Sequence, residues 1–89
     1  MDKKHKGAAS ELIATAWLLK QGYEVFRNVS QHGKIDLIAI HPETDEIKSI
    51  DVKTLAESLG DKGWRKADLD SKIHLLAVDL ENNRCRYLE

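Results

Sequence analysis

Cysteine is nearly missing from this chain. Cys85 stands alone, so no intramolecular disulfide can close, and no Cys/His cluster has the spacing of a zinc site. A small scaffold stapled by disulfides or zinc is excluded, and a reducing, intracellular, cytoplasmic setting is the expectation. Long apolar runs are absent as well. Nothing is long enough to span a bilayer, and the charged start from Met1 to Lys6 precedes no signal-like apolar stretch, so a soluble protein without a membrane partner is expected. An excess of one charge is also lacking. With 14 Lys and Arg against 15 Asp and Glu the formal charge is −1, which gives no global basic field of the kind that attracts nucleic acid. That balance does not exclude a local basic rim around a carboxylate site, because the acids themselves lower the total. There is no internal repeat, no low-complexity tract and no Gly-rich phosphate loop. At 89 residues the chain reads as a single domain, 1–89, whose small core leaves little surplus stability and makes association with further copies a reasonable expectation.

What the chain does have is concentrated in its middle. Lys34 to His41 and Ile47 to Thr54 are apolar, β-branched runs typical of buried strands, and Pro42 to Asp45 between them are turn formers. A four-residue loop makes His41 face Glu46, and counting back along both strands sets Asp36 opposite Asp51. Opposed residues of an antiparallel pair share a face, with Cβ atoms roughly 5 Å apart. Lys53, two residues beyond Asp51, joins them by strand alternation. As plain structure such a patch is costly, since like charges repel across strands and ionised groups among Ile and Leu lose hydration. A divalent cation would compensate. Two carboxylates and a backbone carbonyl are hard oxygen ligands that suit Mg²⁺, and a lysine beside a metal-bound water can orient it for attack on phosphorus.

Asp36, fourteen intervening residues, then Asp51, Val52 and Lys53, preceded by a helix bearing Glu11, resembles the PD-(D/E)XK nuclease superfamily. It is similar to archaeal Holliday-junction resolvases and to intron-type homing endonucleases of that fold. The resemblance covers Gly7 to Thr54 and, more loosely, the last strands. It implies an α/β, restriction-endonuclease-like core: an N-terminal helix packed on a mixed central sheet, with a C-terminal hairpin. It also implies metal-dependent hydrolysis of DNA, with Mg²⁺ as cofactor and Mn²⁺ able to substitute. By position, Asp36 and Asp51 would be metal ligands, the Val52 carbonyl a further ligand, Lys53 the water-positioning base, and Glu11 a helix-borne catalytic acid and candidate ligand. Two departures stand out: Ile35 occupies the proline position of the family's name, and Asp51 the position more often held by glutamate.

Around this centre the chain reads as follows. Lys3 to Lys6 form a basic cluster, read as a frayed solvated terminus or a DNA-phosphate contact, with Lys6 the candidate, and Gly7 ends it. Ala8 to Gln21 reads as a helix closed by Gly22 at its C′ position. Leu12, Thr15, Ala16 and Leu19 share one side of it, and Ile13, Trp17 and Lys20 another. Apolar residues thus nearly encircle the helix, which suggests a second buried face, with Trp17 either an interface residue or a core tryptophan. Tyr23 to Val29 alternates as a strand. His32 reads mainly as an exposed loop histidine. Lys34, two before Asp36, is expected on the same face, either partly neutralising the acid pair or gripping a substrate phosphate. The long stretch from Leu55 to Lys72 lacks periodicity, which suggests a functional loop. Its sharpest feature is Trp64, Arg65 and Lys66, read equally as an aromatic beside two cations suited to base stacking and phosphate contact and as a tryptophan lid over the core with solvated basic neighbours. Ile73 to Leu80 and Arg84 to Leu88, joined through Asn82 and Asn83, read as a second hairpin, with His74 and Asp79 structural. The leading expectation is a Mg²⁺-dependent DNA endonuclease acting as a homodimer or homotetramer. The alternatives are a non-catalytic nucleic-acid-binding or assembly module on the same fold, and a small scaffold in which Asp51 and Lys53 merely pair.

Overall fold

The computed structural model describes residues 2–30, 33–55 and 72–88. Helix α1 spans Lys3–Lys20, followed by strands β1 (Glu24–Arg27), β2 (Leu37–Ile40), β3 (Ile47–Thr54), β4 (Ile73–Asp79) and β5 (Arg84–Leu88). The strands form one sheet in the order β1-β2-β3-β4-β5. All neighbours are antiparallel except β3 and β4, which run parallel with Asp51 beside Leu75. The sheet is therefore mixed, with a helix on it and a C-terminal hairpin, as the sequence implies.

The helix begins earlier than its composition suggests. Asp2 caps it, accepting a hydrogen bond from the His5 amide at 2.9 Å, so Lys3 to Lys6 are its first turn rather than a frayed tail and Gly7 lies inside it. Its other end follows expectation. Gly22 takes φ +94°, which a side chain would strain, and the Gly22 amide donates to the Leu19 carbonyl.

The buried stripe of α1 is Ser10, Ala14 and Leu18, four residues apart, packed with Leu37, Ala39, Ile50, Leu76 and Val78 of the sheet. Trp17 is half-buried, packs against this core and meets Tyr87 edge-on at 5.5 Å. Leu12 and Leu19 are the apolar residues that α1 turns outward, 64% and 54% exposed.

The hairpin closes through a four-residue loop. The His41 amide donates to the Glu46 carbonyl and the Asp45 amide to the His41 carbonyl, both at 2.8 Å, with Asp45 in the left-handed region at φ 60°. Leu37 consequently opposes Ile50 and Ile40 opposes Ile47, the register derived from the turn. Two boundaries differ: β1 covers only Glu24–Arg27, and β2 starts at Leu37, leaving Lys34 in an exposed bend where strand alternation does not place it on the face of Asp36. The parallel pairing of β3 and β4 accounts for the length of the connection between them, since parallel neighbours need a crossover of about a dozen residues or more.

Candidate active site

Leu37 and Ile50 point to the α1 side, so alternation turns Asp51 and Lys53 to the opposite face, near the end of β3 and beside the start of β2. Asp36 sits one residue outside β2. Its amide donates to the Ile50 carbonyl at 2.8 Å and its carbonyl accepts from the Asn28 amide at 2.9 Å, so the backbone at this mouth is held from both sides. Asn28 adds a side-chain bond to the Ile35 carbonyl at 2.8 Å while its Oδ1 accepts from Ser30. Sequence reading missed this clamp, though an Asn two residues before a Ser is the usual signal for such a turn.

The Asp36 carboxylate accepts the Val52 amide at Oδ2, 2.8 Å away. A strand residue's N–H and C=O face the same neighbour, so the Val52 carbonyl lies on this same edge, past the last ladder pair. Asp51 comes within hydrogen-bonding reach of Asp36, and Lys53 Nζ stands 3.5 Å from Asp51 Oδ2. The Asp51 and Lys53 side chains are only 18% and 31% exposed. Loss of water at this half-buried position, opposed by the Lys53 charge and reinforced by the Asp36 charge, pushes the Asp51 carboxyl up to about 6.

Glu11 approaches from the helix side of the sheet. Burial first, and the Asp36 charge second, raise its pKa, while Arg27 works the other way. Glu11 therefore lies within electrostatic range of Asp36, and of Arg27, which the strand pattern does not single out. Ser10, one position before Glu11 and only 1% exposed, fixes this approach through a 2.6 Å hydroxyl contact with Thr54, the residue after Lys53. Among the described residues no three carboxylate, imidazole or thiolate groups converge closely enough to enclose an ion, so the close unit is the Asp36–Asp51 pair with Glu11 outside it. That donor set fits Mg²⁺, which keeps waters in most positions and takes one or two carboxylates.

The solved structure of a bacterial homing endonuclease, I-Ssp6803I, matches this architecture. The similarity has a TM-score of 0.74 at 18% sequence identity, covers 98% of this chain and spans 64% of that chain's length. No family model and no curated protein matches the sequence. The fold is thus α/β and restriction-endonuclease-like, shared with that endonuclease.

Of the remaining candidates, Lys6 is exposed on the first turns of α1 and Lys34 is exposed in the bend before Asp36. His32, Trp64, Arg65 and Lys66 lie outside the described residues. His74 meets the Tyr87 ring at 5.6 Å, and Asp79 accepts from the Glu81 and Asn82 amides in the β4–β5 turn, both structural placements. No described helix is long and apolar enough to cross a membrane.

Proposed function

We propose that this chain is a Mg²⁺-dependent DNA endonuclease of the PD-(D/E)XK type, hydrolysing phosphodiester bonds, with Mn²⁺ able to substitute. One observation carries the reading: two carboxyl groups within hydrogen-bonding reach and a lysine 3.5 Å from one of them share the end of a nuclease-fold sheet. Two neighbouring acids in a half-buried position are unfavourable as plain structure.

Asp36, Asp51 and the Val52 carbonyl would hold the ion, with Glu11 close behind. Bound there, Mg²⁺ supplies charge that polarises the scissile phosphate and acidifies a water. Lys53 orients the attacking water and offsets charge growing on the phosphate oxygens. The water oxygen bonds to phosphorus, the bond from phosphorus to the leaving sugar oxygen breaks, and that oxygen takes up a proton. Lys6 and Lys34, with Trp64, Arg65 and Lys66, are the proposed DNA contacts. One such site cuts one strand, so cleavage of both strands, or of a junction like those cut by resolvases, needs a homodimer or homotetramer.

The absence of a third converging carboxylate among the described residues favours a second reading, a binding or assembly module on this fold that does not turn over. Supercoiled, linear and four-way-junction DNA incubated with Mg²⁺ or with EDTA separates the two. Metal-dependent cleavage that disappears in Asp51→Asn and Lys53→Ala proteins supports the nuclease. Binding without cleavage supports the module.

A further inference from the structure

Helix α1 runs antiparallel to β3. Ser10 is level with Thr54 at the end of that strand, while at the opposite end Leu18 accepts from the Tyr23 amide and the Tyr23 hydroxyl bonds Glu46 near the strand's start. Everything before Ser10 therefore overhangs the end of the sheet that carries Asp36, Asp51 and Lys53. Lys3 lies seven positions before Ser10, an overhang of about 10 Å at helical rise. Gly7 lies one turn before Ser10 on the sheet-facing stripe, and a Cβ there would meet nothing within 4 Å among the described residues, so the sheet has already ended at that level.

The overhang is basic. Lys3, Lys4 and Lys6 are all exposed on it, Lys3 seven residues before Ser10 and so on its stripe, Lys4 seven before Glu11 and so on the acid's side. The first turn holds no acidic residue, and Asp2 is occupied with the His5 amide and imidazole. The helix dipole disfavours cations at this terminus, so stability does not account for the cluster. The cap keeps the three side chains on an ordered helix, the one ring among them, His5, is drawn back to Asp2, and no arginine fork is present, which suits backbone contact without base reading.

We propose that this overhang is a phosphate clamp: Lys3, Lys4 and Lys6 grip duplex DNA beside the phosphate held at Asp36 and Asp51, without regard to sequence. The proposal rests on the nuclease reading above but is tested apart from it. In the full chain carrying Asp51→Asn, with EDTA present, affinity for two unrelated labelled duplexes is measured from 50 to 200 mM salt, with and without Lys3→Gln, Lys4→Gln and Lys6→Gln together. Each lost phosphate contact flattens the log–log salt slope by about 0.9, so the triple change flattens it by about 2 to 3 on both duplexes. Thermal melting of the triple variant stays level or rises, and Lys→Arg at the same three positions restores the slope. An unchanged slope, a loss confined to one duplex sequence, or no DNA binding at all overturns the clamp. Cleavage by the unmutated chain with Mg²⁺ reports separately on the nuclease: cleavage with an unchanged slope leaves the nuclease standing without the clamp, and a lysine-dependent slope without cleavage leaves the clamp on a binding module.

Discussion

Asp51 is where stability and chemistry pull in opposite directions. Its carboxyl titrates near 6 in the fold against about 4 in an unfolded chain, so between those values the folded state binds the extra proton. The stability it contributes is present below about pH 4 and is lost as pH rises through 6. Without metal, the protein is accordingly expected to gain on the order of 2 kcal/mol from this group between pH 7 and 4.5, read as a shift in urea midpoint and partly offset by other acids. A flat profile in Asp51→Asn identifies the group. The same substitution replaces a repelled carboxylate by an amide that can donate to Asp36, so at pH 7 it should stabilise the metal-free protein by about 1–2 kcal/mol while abolishing Mg²⁺-dependent cleavage. Lower stability in Asp51→Asn would show that the acid is a structural partner of Lys53 and nothing more. The register of β2 and β3 was legible from sequence because a loop of four turn formers fixes which residues oppose, and it brings Asp36, Asp51 and Lys53 to one end of the sheet. Asn28 and Arg27 were not, because each acts through backbone or charge at the mouth of β2, beyond any strand periodicity.

At the level of elements, α1 and the β2–β3 hairpin illustrate what patterning conveys. The C-terminus of the helix was readable because Gly22 marks it chemically. Its start was hidden because four basic or polar residues look like solvent-facing tail until the Asp2 cap is seen. Gly22 tests the first point. Alanine there meets both a left-handed backbone and His41 Nε2 at 3.3 Å from its Cβ, so Gly22→Ala is expected to cost more than about 1 kcal/mol in chemical denaturation. Equal stability would mean the helix end is free to rearrange. The outward face of α1 also escaped reading. Leu12 and Leu19 look like core by composition, yet Ser10, Ala14 and Leu18 are smaller on average and let the helix approach the sheet closely.

For the molecule as a whole, apolar runs disclosed the strands but not how they lie beside one another. Nothing in the composition of β3 or β4 distinguishes parallel from antiparallel pairing, and the parallel pair accounts for a long connection whose expected functional role lies on residues outside the described ones. Large apolar side chains remain exposed on both sides of the sheet, Leu12 and Leu19 on α1 and Phe26 and Ile47 on the strands. Sedimentation equilibrium at micromolar concentration is expected to give two or four times the 10.1 kDa chain mass, and a monomer at all concentrations would remove the proposed cut of both strands by one assembly. The bond from the Val52 amide to Asp36 has its own consequence. This proton is secured by a side chain instead of a neighbouring strand, so deuterium uptake at a single backbone position reports on the acid. In Asp36→Ala, Val52 should exchange with D₂O far faster while Leu76 and Val78, deep in the ladder, keep their protection.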